Sequence, residues 1–152
     1  MASKIADAVD RRILAALVAD ARISNNDLAE RVGITPSPCL RRVRRLEELG
    51  FIRGYTARID PAVDGWTMAA MVIVRLNRQH ADEIAMFEDA VRSWTEVSEC
   101  HLVAGSPDYI LKVMSASLDT YQRFLNEKMA GLKCVATIET CFIMKTIKDQ
   151  RT

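Results

Sequence analysis

The chain has no apolar run approaching the roughly 20 residues that cross a bilayer. Its first residues, MASKIADAVDRR, lack the apolar core of a secretory signal. The expectations are a cytoplasmic location and no membrane partner. None of the four cysteines, Cys39, Cys100, Cys134 and Cys141, forms a C-x-x-C pair. A zinc set built from Cys100, His101, Cys134 and Cys141 fits no usual ligand spacing. The thiols are therefore read as reduced small hydrophobes, and no metal is expected. There is no phosphate-binding glycine loop, nucleophile elbow or paired-carboxylate constellation. His101, with no paired base, reads as packing or subunit contact. Neither an enzyme nor a cofactor is expected. Net charge is also scarce, at +1 over 152 residues.

That small charge is unevenly placed. Residues 1–60 hold 11 Lys/Arg against 8 Asp/Glu, and residues 61–152 hold 10 against 12. A basic first part and an acidic second part suggest two jobs. The expected domains are 1–60 and 68–152. Between them, 61–67 is a short, turn-rich linker containing Pro61, Asp64 and Gly65.

The first part carries punctuation for three helices. Val9, Ile13, Leu14 and Leu17 recur near helical spacing over Asp7 to Ala19. Ser24 is a good N-cap for a second helix, with Asp27 in the position of a capping-box partner. Gly33 follows, suited to the left-handed conformation that closes a helix. Thr35-Pro36 then opens a third helix, threonine as cap and proline where its missing N–H is harmless. Leu40, Val43, Leu46 and Leu49 repeat every three residues and are expected in the core, and Gly50 ends the helix. Arg41, Arg42, Arg44 and Arg45 lie off that stripe and are free to reach outward. Guanidinium forks suit phosphate oxygens and the guanine edge. Thr35, Ser37 and Cys39, in the first turn, stand nearest the groove floor if the helix enters N-terminus first. Phe51-Ile52 and Tyr55 to Ile59, separated by Arg53-Gly54, fit a short β-ribbon wing in which Arg53 adds backbone grip. The combination points to double-stranded DNA. A merely solvated arginine face, paired with Glu47 and Glu48, is the competing reading.

The second part reads strand, helix, two strands, helix, strand. The apolar run Met68 to Leu76 is the first strand. Ile84, Phe87, Val91 and Trp94 mark a helix. Val97 to Val103 and Tyr109 to Met114 are strands joined by a turn at Gly105-Ser106-Pro107-Asp108. Leu118, Tyr121, Phe124, Leu125 and Met129 mark another helix face, and Val135 to Lys145 is the last strand. That order is the ferredoxin-like βαββαβ arrangement. The fold class is thus α+β, an N-terminal winged helix-turn-helix followed by a ferredoxin-like domain. The sheet's second face keeps apolar side chains and wants a partner, for which a second copy is the simplest candidate.

The stretches DRRIL at Asp10 to Leu14, ARISNNDLAERVGITPSPCLRRVRRLEELGFIRGYTARIDP at Ala21 to Pro61, FEDAV at Phe87 to Val91 and ECHLVAGSPDYILKV at Glu99 to Val113 resemble the Lrp/AsnC, or feast/famine, family of transcription regulators. The closing strand with Lys145 and Lys148 also fits. The resemblance covers nearly the whole chain and is strongest to the leucine-responsive branch. It implies a homodimer that assembles into tetramers or octamers. It also implies an amino-acid effector held near the turn between the second and third strands. By motif, the effector residues would be Val103, Ala104, Gly105, Asp108 and Tyr109, with Thr137 and Thr140 as weaker members. Gly105 would expose N–H groups to a carboxylate and Asp108 would pair with an ammonium group. The Gly-Ser-Pro-Asp stretch also reads simply as a hairpin turn. Two departures stand out: Ser106-Pro107 replaces the family's usual acidic residue after the glycine, and Lys133-Cys134 replaces its Pro-Gly before the last strand. The reading is a DNA-binding transcriptional regulator responsive to a small effector. A ligand-independent architectural DNA-binding protein is the alternative.

Overall fold

The structure, a computed structural model, describes residues 7–78 and 80–148. The ends of the two expected domains, 1–6 and 149–152, lie outside these. The chain divides between Arg58 and Ile59 into two compact units, each with its own hydrophobic cluster.

The first unit is three helices, α1 (Ala8–Ala19), α2 (Asn25–Val32) and α3 (Pro36–Glu48). Their core is Ile13, Ala16, Leu28, Ala29, Val32, Cys39 and Leu46. Gly33 sits at φ 72°, ψ 40°, and the Ile34 N–H reaches back to the Ala29 carbonyl at 3.0 Å, which closes α2. Two caps differ from expectation. Ser24 accepts from the Asp27 N–H, but the Asp27 carboxylate takes the Ser24 hydroxyl at 2.7 Å instead of a backbone N–H, so the capping box is half made. Thr35 occupies the N-cap of α3 without a side-chain cap bond, which leaves its hydroxyl at the helix tip.

The core face of α3 is also rotated from expectation. Cys39 and Leu46 are buried and Val43 is half-buried, whereas Leu40 is 41% exposed. A strict three-residue repeat drifts around a helix of about 3.6 residues per turn. Leu40 and Leu49, nine residues apart, therefore lie on opposite sides, and spacings of four and three (39, 43, 46) follow the core.

The wing ribbon is not formed, since no residue from Phe51 to Asp60 is in a strand. Its first arm is only two residues, and both N–H groups are already used. Phe51 and Ile52 donate to the Leu46 carbonyl at 2.9 and 3.1 Å, closing α3. The expected linker contains a single turn of 3₁₀ helix at Pro61–Asp64.

The second unit is β1 (Met68–Leu76), α4 (Ala81–Arg92), β2 (Val97–Leu102), β3 (Tyr109–Ser115), α5 (Leu118–Phe124) and β4 (Val135–Phe142). All pairings are antiparallel and the strand order is β2-β3-β1-β4, the split βαβ topology. Period-two alternation sorts the faces. Ala70, Val72, Val74, Leu111 and Val113 point into the core with Phe87 and Val91 of α4 and Tyr121 and Phe124 of α5. The opposite face carries half-buried Met71, Ile73, Ile110 and Met114. α5 runs on into a wider π-type turn at Leu125–Met129, closed by the Ala130 N–H on the Leu125 carbonyl at 2.8 Å. The extra residue lets Phe124 and Met129 both face the core, five positions apart. Leu118, expected on that face, is 58% exposed in the first turn of α5.

Tyr109 anchors this core. Its ring lies 4.6 Å from that of Phe87, and its hydroxyl donates to Glu88 at 3.0 Å. Burial, then the Glu88 carboxylate, push the phenol up to about 12. An unfolded chain releases this proton first, near pH ~10. The stabilisation is thus complete below pH ~10 and is lost as pH rises toward 12. Melting temperatures measured across this range should fall more steeply for the wild type than for Tyr109→Phe. Parallel slopes would contradict the assignment.

Candidate nucleic-acid interface and ligand cleft

The core side of α3 defines its free side. Opposite Cys39, Val43 and Leu46, the exposed residues Ser37, Arg41, Arg44 and Glu48 fall on one stripe with spacings of four, three and four. Arg41 and Arg44 make no ion pair among the described residues. Arg45, beside the stripe, keeps half of its side chain exposed and comes within 3.9 Å of Asp10. Arg53 is exposed beyond the helix end, and Thr35 stands at the tip with Ser37 in the first turn.

Two residues expected on this surface are elsewhere. Cys39 is fully buried in the three-helix core, and burial raises its thiol pKa; it is out of reach of a base edge. Arg42 turns back toward α1, where one guanidinium nitrogen, Nη1, donates to Asp7 and to Asp10 at 2.7 Å each. Sequence periodicity does not reveal this, because Asp10 looks like an ordinary first-turn acid and is in fact 2% exposed.

In the second unit, the turn after β2 lies between two clefts. One, of about 350 Å³, is lined by Arg75, Asn77, Arg78, Gly105, Asp108 and Thr137, among others. The other, of about 460 Å³, lies toward α4 and is lined by Ile84, Leu102, Val103, Ala104 and Tyr109, with Leu76 and Asp108 common to both. The expected effector residues are therefore divided. Gly105, Asp108 and Thr137 share the polar cleft; Val103, Ala104 and Tyr109 share the apolar one. Thr140 lines neither. It faces the helices and bonds the Tyr121 hydroxyl at 2.6 Å. The Tyr109 hydroxyl is likewise committed to Glu88.

Asp108 is the pivot between the clefts. Its Oδ2 accepts the Leu76 N–H at 2.8 Å, its own N–H donates to the Val74 carbonyl, and its carbonyl accepts the Val103 N–H. One carboxylate thus closes the end of β1 and fixes the turn. Gly105, at φ 155°, holds a conformation that side-chain-bearing residues rarely adopt. Sequence reasoning missed Arg75 and Arg78. The signal for Arg75 was present, as the lone charge in the otherwise apolar MAAMVIVRL strand.

The remaining cysteines and His101 stay apart. Cys100 on β2 and Cys141 on β4 occupy the two outer strands, on opposite faces by register with Leu111 and Met71. No group of three or more His, Cys, Asp or Glu that could hold a metal occurs among the described residues. His101 is exposed on the open sheet face, 3.7 Å from Glu99. Among the described residues, no helix is long and apolar enough to cross a membrane.

A helix-turn-helix with an outward cationic stripe, in one chain with a ferredoxin-like unit bearing clefts at one turn, defines a ligand-responsive DNA-binding regulator. Residues 7–53 match the winged helix-turn-helix DNA-binding family model, and residues 69–152 match the Lrp/AsnC ligand binding domain. The chain is 42% identical over 143 residues to the leucine-responsive regulatory proteins of Klebsiella pneumoniae and of Escherichia coli K12, covering 94% of this chain and 87% of each of theirs. A transcriptional regulator of Neisseria meningitidis, solved as a complex with L-Met, superposes with a TM-score of 0.89 at 32% identity over 95% of this chain and 93% of that one. An AsnC family regulator from Agrobacterium tumefaciens gives 0.89 at 29% identity, over 96% and 95%. The chain belongs to the Lrp/AsnC family and is a DNA-binding transcriptional regulator with a ligand-binding domain.

Proposed function

We propose that α3 lies in the major groove with Ser37, Arg41 and Arg44 toward the DNA. Thr35 and Ser37 approach base edges at the helix tip, and Arg41, Arg44, Arg45 and Arg53 hold phosphates. The observation that carries this reading is the exposed Ser37–Arg41–Arg44 stripe opposite the buried Cys39 and Leu46. A second copy covers the open sheet face at Met71, Ile73, Ile110 and Met114, so the recognition helices work in symmetric pairs. The protein acts in the cytoplasm as a regulator without catalytic activity of its own.

The effector is an amino acid in the cleft beside Gly105. The Arg75 guanidinium meets its carboxylate and the turn at Gly105 lets it approach the backbone. Two relatives support this class, the Neisseria regulator complexed with L-Met and the leucine-responsive proteins. L-Methionine and L-leucine are therefore the first probes in a thermal-shift screen of the proteinogenic amino acids. A ligand at a hundredfold excess over Kd stabilises the native state by about 2.7 kcal/mol, a shift of several degrees. Arg75→Ala should abolish that shift, each melt being compared with the variant's own unliganded melting temperature. A full shift in Arg75→Ala would place the ligand elsewhere, and no shift with any amino acid would refute the effector.

A further inference from the structure

Arg42 is the recognition-helix arginine that does not face outward, and its two partners are joined to each other. Asp7 caps α1, its Oδ1 accepting the Asp10 N–H at 2.8 Å, while Asp10 Oδ2 accepts the Asp7 N–H at 3.2 Å. The remaining oxygens, Asp7 Oδ2 and Asp10 Oδ1, both accept from Arg42 Nη1 at 2.7 Å. All four carboxylate oxygens are thereby used, two on the α1 cap and two on α3. The pairs span 35 and 32 residues of sequence. The Asp10 backbone N–H, then the Arg42 guanidinium, hold the Asp7 carboxyl below its ordinary range, and the two carboxylates raise Arg42.

We infer that Asp7, Asp10 and Arg42 are a positioning clamp, which fixes the rotation of α3 on α1 so that Ser37, Arg41 and Arg44 face the groove together. The inference rests on the reading of α3 as the DNA-reading helix. The Nη1 end of the guanidinium is held by two carboxylates, Asp10 being 2% exposed, which turns Arg42 toward α1 and away from the Ser37–Arg41–Arg44 stripe. Removing it leaves the buried Asp10 with only the longer Arg45 contact at 3.9 Å, which weakens the hold of α1 on α3. The clamp therefore governs sequence discrimination, whereas the neighbouring arginines govern salt-dependent grip.

The test compares Arg42→Gln, Asp10→Asn, the double variant and Arg41→Ala in the full-length protein. Each is titrated against a duplex enriched from a random-sequence pool by the wild type, and against its scrambled counterpart, over a salt series. For Arg41→Ala both duplexes weaken together and the salt slope falls by about 0.9 for each phosphate no longer neutralised. For Arg42→Gln and Asp10→Asn the enriched-to-scrambled affinity ratio falls about tenfold, the size of one base-pair discrimination, at an unchanged slope. A reduced slope in Arg42→Gln, or tighter binding by Asp10→Asn through a released Arg42, overturns the clamp.

Thermal melts test the clamp without DNA. Arg42→Gln lowers the melting temperature by several degrees, and adding Asp10→Asn recovers part of the loss because the buried, weakly paired charge is gone. Strict additivity overturns the inference. A wild type that enriches no duplex refutes the reading of α3 as the DNA-reading helix, while the melts still decide the α1–α3 linkage.

Discussion

Replacing Arg41 and Arg44 together with alanine removes DNA retention while the protein stays folded. In the proposed dimer the change deletes four cations from the stripes proposed to face the groove. Each neutralised phosphate contributes about 0.9 to the slope of log affinity against log salt. The double variant should therefore lose about 3 to 4 from that slope, and about 10³-fold in affinity at physiological salt. Both side chains are exposed and make no ion pair among the described residues, so melting should barely move. Anisotropy titrations of a labelled duplex, with a parallel thermal melt, check both halves. Unchanged slope with intact fold would mean that these arginines are only a solvated face. Arg42 is left out because its loss disturbs the three-helix packing, and a quadruple arginine variant would confound grip with fold.

Phe87→Ala carries the largest expected stability effect. The ring is fully buried between α4 and the sheet and packs against Tyr109 with ring centroids 4.6 Å apart. Truncating a buried phenylalanine costs about 3–5 kcal/mol through lost burial and the cavity left behind. At roughly 2–4 °C per kcal/mol for a chain of this size, the ligand-binding unit should melt about 10 °C lower or more. Both tryptophans, Trp66 and Trp94, lie in that unit, so their emission reports its unfolding. A loss below about 1 kcal/mol would show that the core collapses around the site.

Fold and topology were legible because their signals are local and redundant. β1 runs over Met68–Leu76, the bounds expected from its apolar run, and α2 ends at Gly33. The errors arise where one residue has to choose between two uses. Leu40 looked like core because it is a leucine at a three-residue spacing, yet Cys39 takes that place by helix phase. Phe51-Ile52 looked like strand, yet its N–H groups close α3. Arg42 was indistinguishable from Arg41 and Arg44 by type and neighbourhood. Only the packing of α1 on α3 shows that Asp10 claims it.

The proposed ligand cleft was half legible. The turn at Gly105 to Asp108 announced itself by composition, and the structure places it between two clefts. That one cleft is polar and one apolar depends on strand register, which sets Arg75 opposite Thr137. Register follows from side-chain alternation across all four strands, not from the turn motif. Thr140 and Tyr109 entered the expected set by position in the chain. Their hydroxyls point to the helix side, where Tyr121 and Glu88 hold them.

The proposed DNA-reading helix and the proposed amino-acid cleft share one chain, and one titration addresses both. Binding of the wild type to a duplex enriched from a random pool is measured over a salt series, without and with each proteinogenic amino acid at saturation. The expected result is steeply salt-dependent binding, shifted in affinity or stoichiometry by at least one amino acid and unshifted in Arg75→Ala, since a ligand moves an equilibrium only through differential affinity for its states. Salt-dependent binding that no amino acid moves would contradict a ligand-responsive regulator and identify a ligand-independent architectural protein.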